Sequence, residues 1–267
     1  MKKAVLLLVY LFLLAVVGGC GGHQDSEKEA YRAAVDALVA ALDAKDGEAL
    51  YDLFSPAVQA KDEDLRQQVE HLLTVYEGPA DAVGWDGLLG SDGMYEDGRC
   101  AFNAYTTFPI RAGDTYYWFY MDLMYKNTFN RAQVGITQLV FYTAAEYCGI
   151  FYDDDAQQTE ETGLTVHAEQ TVAEEIRCIY GKPHKYDSRT SPLELAQVKA
   201  FCEGLTDFAA FKERFGEPNA ANIWSYYALV GEGEKPRYLQ LAVHEGKIHS
   251  AEIVDDFDFV ETVFDID

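Results

Sequence analysis

Thr115-Tyr116-Tyr117-Trp118-Phe119-Tyr120-Met121-Asp122-Leu123-Met124-Tyr125 is the stretch that decides the fold of the first half of the chain. Aromatic or apolar side chains occupy both sets of alternating positions. One set consists of Tyr117, Phe119, Met121 and Leu123, and the other consists of Tyr116, Trp118, Tyr120 and Asp122. Because successive side chains of a strand point to opposite faces, the pattern predicts a β-strand that is covered on both faces.

The segments on either side predict further strands of the same antiparallel sheet. Apolar and polar residues alternate over residues 100–108, residues 111–114 suit a hairpin turn, and residues 134–143 predict another strand. Residues 84–98 are rich in glycine, aspartate and serine and are interpreted as a loop. The middle of the chain is therefore predicted to be an aromatic, antiparallel meander.

Three helices are predicted upstream of these strands. Ser26-Glu27-Lys28-Glu29 is a capping box, in which the Ser hydroxyl and the Glu carboxylate satisfy free amides of the first helical turn. Apolar residues then recur every three or four positions over residues 31–42, so one side of this helix is apolar. A short second helix ends at Ser55-Pro56, and a third runs from about Asp62 until Gly78-Pro79 stops it.

This order of elements resembles the nuclear transport factor two-like, cystatin-like α+β cone, in which a curved antiparallel sheet wraps around N-terminal helices. Three stretches are also similar to those of an uncharacterised family of exported lipoproteins from single-membrane bacteria with this fold. They are Asp46-Gly47-Glu48-Ala49-Leu50-Tyr51-Asp52-Leu53-Phe54-Ser55, Tyr105-Thr106-Thr107 and Gly135-Ile136-Thr137-Gln138-Leu139. The resemblance covers roughly residues 25–150. It implies a fold that can enclose a pocket and an exported location, but no reaction, because that family has no assigned activity.

A second, smaller α+β domain is predicted over residues 164–267, after an acidic linker at residues 153–163. Helices are predicted over residues 172–179, 191–205 and 208–215. A three-stranded meander follows, with strands near residues 223–230, 237–243 and 247–254. This order resembles the small modules of bacterial envelope lipoproteins that bind other proteins.

The N-terminus has the layout of a secretory signal. Lys2 and Lys3 precede an uncharged apolar run over residues 4–17, which leads to Val17-Gly18-Gly19-Cys20. This ending resembles a bacterial lipobox, which implies that residues 1–19 are a signal peptide and that Cys20 becomes the lipidated first residue. Residues 20–25 are interpreted as a tether to the first domain, residues 26–152. An uncleaved membrane helix is the alternative, but the run is shorter than the roughly 20 residues that cross a bilayer.

Composition indicates a folded and strongly acidic protein. Apolar residues make up 49% of the chain and aromatic residues 13%, far from the low hydrophobicity of disordered proteins. The formal charge is -24, and removal of Lys2 and Lys3 with the signal peptide makes it -26. Such a surface repels nucleic acid and anionic headgroups and favours a cationic peptide, a metal ion or a basic protein, although solubility alone also explains it.

Four cysteines follow Cys20, namely Cys100, Cys148, Cys178 and Cys202. Outside the cytoplasm an even number of cysteines permits disulfides. Cys100 and Cys148 fall in the first predicted domain and the other two fall in the second, so one interpretation is a disulfide within each domain. Four buried thiols are the other interpretation.

No motif of a known catalytic machinery is present. The chain lacks GxSxG, HExxH, SxxK and CxxC motifs, and its six histidines are scattered. We therefore predict no catalytic residue, no cofactor and no metal site. The candidate pocket or binding face consists of Tyr116, Trp118, Tyr120 and Asp122, with Tyr105 on the neighbouring strand. Inside an apolar cone, burial would raise the pKa of the Asp122 carboxyl.

These features predict a noncatalytic binding or scaffold protein of the cell envelope, lipid-anchored through Cys20 on the extracytoplasmic face of the cell membrane. The expected partner is an envelope protein, a peptide or a small apolar ligand, and charge excludes nucleic acid. Two alternatives stay open. One is a small-molecule carrier that uses the cone pocket, and the other is an isomerase or hydrolase in which Asp122 is the acid and base.

Overall fold

The computed structural model describes residues 23–84, 89–152, 163–168, 176–179, 181–202, 206–221, 224–230, 236–257 and 259–265. They form a mixed α+β structure, as the sequence predicts, and divide into two compact units. The first unit comprises the described parts of residues 1–83, 87–143 and 157–169, and the second those of residues 84–86, 144–156 and 170–267. The predicted signal peptide, Cys20 and residues 153–162 of the predicted linker lie outside the described residues.

Four α-helices open the described part of the first unit: α1 (His23–Asp43), α2 (Gly47–Tyr51), α3 (Pro56–Lys61) and α4 (Leu65–Val75). The sequence analysis predicts three, because it interprets Ser55-Pro56 as the end of a helix. In the structure Ser55 is the N-cap of α3, and its Oγ accepts a hydrogen bond from the Val58 amide at 3.3 Å. Proline is favoured just after an N-cap, since the first amides of a helix have no partner within it.

The predicted start of α1 at Ser26 is wrong. The helix begins at His23, so the capping box lies inside its first turns and residues 23–25 of the predicted tether are helical. The residues just before Ser26 include no proline, so nothing in them stops a helix from extending by one turn.

The first unit contains a six-stranded sheet of β1 (Ala82–Val83), β2 (Gly90–Glu96), β3 (Arg99–Ala112), β4 (Thr115–Asn127), β5 (Gly135–Thr143) and β6 (Gly163–His167). β1 and β2 pair with opposite ends of β3, β3 pairs with β4, and β4 pairs with β5, all antiparallel. β6 joins β5 in parallel. The aromatic strand β4 therefore lies between two long strands. The predicted cover on both faces is present over residues 116–119, whereas Tyr120 and Asp122 are half-buried.

The interpretation of residues 84–98 as a loop is wrong, because Gly90–Glu96 forms β2 and pairs with β3. Asp97 and Gly98 connect the two strands with φ values of 49° and 73°, as in a type I′ hairpin turn. Glycine and aspartate are rare in strands, so the composition of residues 84–98 did not predict β2.

Two aromatic rings of β3 lie across the glycines of β2. A Cβ added at Gly90 would lie 2.6 Å from Cζ of Tyr105, and one added at Gly93 would lie 2.6 Å from Cε1 of Phe102. Real side chains do not approach so closely, so each ring can keep its present place only opposite a glycine. Aromatic side chains of this kind stabilise glycine at an edge strand.

Helix α1 packs on one side of the sheet. The Tyr31 hydroxyl donates a hydrogen bond to the Met121 carbonyl at 2.9 Å, and its ring meets Phe108 edge to face at 6.4 Å. Phe119, which pairs with Phe108, is fully buried. We call the side of Phe119 and Met121 the helix-facing side. The opposite side, which we call the far side, carries Tyr116, Trp118, Tyr120 and Asp122.

Two of the stretches that carry the family resemblance contact each other. The Ser55 amide donates to the Ile136 carbonyl, and the Ile136 amide donates to the Leu53 carbonyl, each at 3.0 Å. Between them Gly135 has a φ of 131°, and a Cβ there would lie 2.8 Å from the Ser55 nitrogen. Only glycine fits, and the two stretches are therefore parts of one structural joint.

The second unit contains α5 (Ala144–Tyr152), a hairpin of β7 (Ile176–Ile179) and β8 (Lys182–Lys185), α6 (Leu195–Cys202) and α7 (Phe208–Phe215). Its larger sheet has the order β13-β12-β11-β10-β9 and is antiparallel throughout. These strands are β9 (Ala220–Ala221), β10 (Ser225–Ala228), β11 (Tyr238–His244), β12 (Lys247–Val254) and β13 (Phe259–Asp265). The three predicted strands correspond to β10, β11 and β12, and β9 and β13 add one strand at each edge.

The helix predicted over residues 172–179 is wrong from Ile176 onward, where the chain forms β7. Ile176 and Ile179 have helical spacing, yet isoleucine suits a strand and Gly181, with a φ of 74°, suits the turn to β8. Residues 172–175 lie outside the described residues.

All four described cysteines are free thiols. Cys100 belongs to the first unit and Cys148 to the second, whereas the sequence analysis places both in one domain. The interpretation of a disulfide within each domain is therefore not what the structure has.

Within the described ranges, no helix combines the length and the hydropathy that a membrane span requires.

Candidate functional site

The far side of the first sheet brings three of the five candidate residues together. Tyr105 on β3 pairs with Asp122 on β4, and Tyr120 lies two positions before Asp122 on the same side. The rings of Tyr105 and Tyr120 are 6.5 Å apart, and all three side chains are half-buried. We call these three residues the Tyr-Asp cluster. It is open enough for a partner to touch.

The other two candidate residues are buried. Trp118 has no exposed surface and Tyr116 is 6% exposed, with their rings 6.2 Å apart. They share the far side with the Tyr-Asp cluster but contribute to the packing of the protein. A partner could not reach them without displacing other side chains.

The structure corrects one expectation about the cluster. The sequence analysis places Asp122 in the interior of a cone, beside the helices. The contact of the Tyr31 ring with Phe108, which pairs with Phe119, puts α1 on the helix-facing side, whereas Asp122 lies on the other side. Both sides of β4 are aromatic, so alternation alone does not show which side the helices cover.

Asp122 is held by an amide that the sequence analysis missed. Asn103 Nδ2 donates hydrogen bonds to both carboxylate oxygens of Asp122, at 3.0 Å and 3.3 Å. Burial raises the pKa of Asp122, and the negative charge of Asp92 adds to this, while the Asn103 hydrogen bond opposes it. Asn103 lies two residues before Tyr105, on the same side of β3, and that spacing was the available signal.

Tyr120 keeps its proton at neutral pH. Burial, and then the negative charge of Asp122, raise the pKa of Tyr120 to about 12. Its hydroxyl is therefore a hydrogen-bond donor next to a carboxylate. Two aromatic rings beside a carboxylate form an environment suited to a cation, because ring faces and carboxylates both attract positive charge.

A cleft of about 510 Å³ opens near one end of β4. Met124 and Thr137 lie in its wall, and they flank Asp122 along β4 and β5. The Thr137 hydroxyl donates to the Asp122 carbonyl at 3.1 Å, which ties the cleft to the cluster. Lys61 and Asp62 of the α3 end also line it. Its volume is in the range of small-molecule sites, but it lies at the edge of the aromatic surface.

The second unit holds a group of buried polar side chains. His184 has no exposed surface and its ring lies 4.7 Å from that of Tyr226. The Cys178 thiol donates to the Asp256 carbonyl at 3.1 Å. Burial lowers the pKa of His184 from 6.5 to about 4, so it is neutral at physiological pH. These residues are inaccessible to a ligand and serve the packing of this unit.

Across the described residues, no group of three or more His, Cys, Asp or Glu side chains is arranged to hold a metal ion.

Residues 37–144 match the family model described as Domain of unknown function (DUF5104). The match extends from within α1 to the end of β5 and therefore includes the whole Tyr-Asp cluster. Among curated proteins no match was found. This match is consistent with the expectation of an uncharacterised family for the first part of the chain, and the family description assigns no activity.

Proposed function

We propose that this protein is a noncatalytic binding protein of the bacterial cell envelope that takes up a cationic segment of a protein or peptide at the Tyr-Asp cluster. The observation that carries this proposal is the half-buried group of Tyr105, Tyr120 and Asp122 on the far side of the first sheet. The rings offer a face to a cation, and the carboxylate offers the opposite charge.

Lipidation of Cys20 on the extracytoplasmic face of the membrane is part of the proposal. The lipobox-like Val17-Gly18-Gly19-Cys20 and the preceding charged and apolar regions support it. The described part of the chain opens with α1 at His23, three positions after Cys20. Each buried methylene of an acyl chain contributes about 0.8 kcal/mol, so two or three chains would hold the protein firmly without a membrane-binding surface.

A nuclear transport factor two-like cone for the first unit also belongs to the proposal. The four helices before the long antiparallel strands β3, β4 and β5 support it, as does the packing of Tyr31 across β3 and β4. The proposal assigns the following, smaller α+β unit with its antiparallel sheet to protein binding as well.

The packing between α1 and the sheet favours a binding face over the carrier alternative. Tyr31, Phe108 and Phe119 are fully buried there and fill the place where a cone would hold cargo. The overall charge of -24 favours a basic partner over an anionic one.

One observation favours the enzymatic alternative, namely the raised pKa of the Asp122 carboxyl beside the Tyr120 hydroxyl. A carboxyl of this kind can move protons in an apolar site. However, Asn103 donates to both of its oxygens, which positions the carboxylate as a fixed acceptor. Binding is therefore the better account of the geometry.

Titration of the detergent-solubilised full chain with hexalysine amide tests the proposal. Asp122→Asn removes the charge without changing the shape, and Asp114→Asn removes an equal charge from the exposed β3–β4 turn. We expect Asp122→Asn to weaken binding about fivefold, since hydrogen-bonded ion pairs contribute about 1 kcal/mol or more, and Asp114→Asn to change it less than about twofold. Equal effects of the two substitutions would show that only the overall charge matters.

A further inference from the structure

β2 has an open edge. Its residues Gly90–Glu96 pair with β3 on one side, and within the described ranges no strand pairs with the other side. Proteins usually protect such an edge with lysine, proline or a bulge. β2 contains no lysine or proline, and its register with β3 runs without interruption from Gly90 to Glu96. Its charged residues, Asp92 and Glu96, are acidic, so they deter another acidic strand but not a basic one. Its backbone can therefore accept another strand.

Exposed apolar side chains mark the same edge. Met94 is 53% exposed and Tyr95 is 64% exposed, on opposite sides of β2. A strand that pairs with β2 would cover part of both. Their exposure on an edge without lysine, proline or a bulge favours a binding role over a purely structural one.

Charge decides between the occupants of this edge. Asp92 and Glu96 are exposed on β2, and the chain as a whole has a formal charge of -24. A second copy would bring the same negative charges to the edge and would be repelled. A lysine- or arginine-containing segment is attracted by them.

Gly90 leaves space for one such side chain. A strand added to β2 would lie about 4.8 Å away from it, and every second side chain of that strand would lie on the far side of the sheet. Because the Tyr105 ring lies across Gly90, a basic side chain opposite Gly90 would meet the ring and no intervening side chain. Asp92 lies two positions further along on the same side and supplies the opposite charge.

We propose that the β2 edge accepts an extended, basic segment of a partner protein as an additional strand, with a lysine or arginine seated over Gly90 against the Tyr105 ring. This inference rests on the proposed function and names the partner and its manner of docking. Backbone hydrogen bonds along β2 provide affinity in such strand addition, and the pocket beside Tyr105 provides specificity.

Two peptide probes test strand addition on the detergent-solubilised full chain. One alternates threonine and lysine over about seven residues, to match β2, and the other is the same peptide N-methylated along its pairing edge. We expect the first to protect from hydrogen exchange those amides of residues 90–96 that face away from β3. We expect the second to bind at least about tenfold more weakly, because N-methylation removes the backbone donors. Asp92→Lys should weaken binding, and Asp114→Lys serves as its matched control.

Equal binding of the two peptides, or unchanged exchange of residues 90–96, would overturn the inference. Protection of these amides that rises with protein concentration and without peptide would also overturn it, because it would show pairing between copies of the chain. Failure of the proposed function is distinguishable. If the proposed function is wrong, Asp122→Asn leaves hexalysine binding unchanged, whatever the two peptides do at the β2 edge.

Discussion

Gly90→Ala perturbs the Tyr-Asp cluster without replacing any of its residues. The added Cβ would lie 2.6 Å from Cζ of the Tyr105 ring, whereas ordinary contacts begin near 3.4 Å. The backbone at Gly90 has no positive φ, so alanine itself is not strained there, and the ring must give way. The substitution therefore displaces the Tyr105 ring from its place over β2.

The expected loss of binding follows from the contact that the ring makes with a cation. A cation on an exposed aromatic ring contributes about 0.5–1 kcal/mol, so its loss raises the dissociation constant for a lysine-rich peptide about two- to fivefold. Stability changes little. Alanine is better than glycine in a strand by about 0.5–1 kcal/mol, and loss of the cross-strand ring contact costs about 0.2–1 kcal/mol.

Gly93→Ala is the matched control, because its Cβ would meet the Phe102 ring in the same way but on the helix-facing side. Both variants are titrated with the threonine-lysine peptide, and their melting temperatures are measured. We expect weaker binding for Gly90→Ala and little change for Gly93→Ala. Unchanged binding of Gly90→Ala, or equal losses in both variants, would refute the role assigned to the Tyr105 ring.

Three further predictions concern the packing of the two units. Gly135→Ala should cost about 2–4 kcal/mol in urea unfolding, because its φ of 131° and the backbone of Ser55 leave no room, while Gly98→Ala, which meets open space, should cost about 1 kcal/mol. Tyr31→Phe keeps the ring but removes its hydrogen bond to the Met121 carbonyl and should cost about 1 kcal/mol, measured in the same way. Burial lowers the pKa of His184 from 6.5 to about 4, so the unfolded chain binds a proton that the folded chain does not. Stability of the second unit should fall by up to about 3 kcal/mol as the pH drops through this interval, and His184→Phe should abolish the effect in hydrogen exchange of β7 and β8.

The central strands could be predicted because their pattern is local. Alternation along β4 and the polar turn before it predict two strands and a hairpin without reference to the rest of the chain. The side that the helices cover could not be predicted. Trp118 and Phe119 are both fully buried, so the sequence pattern suggests a core on both sides of β4. The contact of the Tyr31 ring with Phe108, which pairs with Phe119, shows which side the helix covers.

Strand β2 and helix α3 were not predicted, because their residues are also typical of another structure. Gly90 and Gly93 suggest a loop until the rings of Tyr105 and Phe102 are seen to lie across them. Ser55-Pro56 marks a helix boundary, but the sequence does not show whether a helix ends or begins there. In each case the residues that decide the structure lie elsewhere in the chain. They are Tyr105 and Phe102 of β3 in the first case and Val58 of α3, whose amide Ser55 caps, in the second.

The candidate site was predicted in part. Tyr105, Tyr120 and Asp122 do lie together, because cross-strand neighbours follow from the pairing of β3 with β4. Asn103 was missed, since an amide on a strand is unremarkable until its hydrogen bonds to Asp122 are known. The burial of Trp118 could not be foreseen from a pattern that treats it like Tyr120.

Photo-cross-linking in growing cells tests the central claim most directly. A benzophenone amino acid replaces Tyr105 in the full chain, and mass spectrometry identifies what it captures after irradiation. The account predicts a covalent adduct with an extended lysine- or arginine-rich segment of an envelope protein, and loss of this adduct when Asp122→Asn is added. No adduct, or the same adduct from a benzophenone at Asp114, would contradict it.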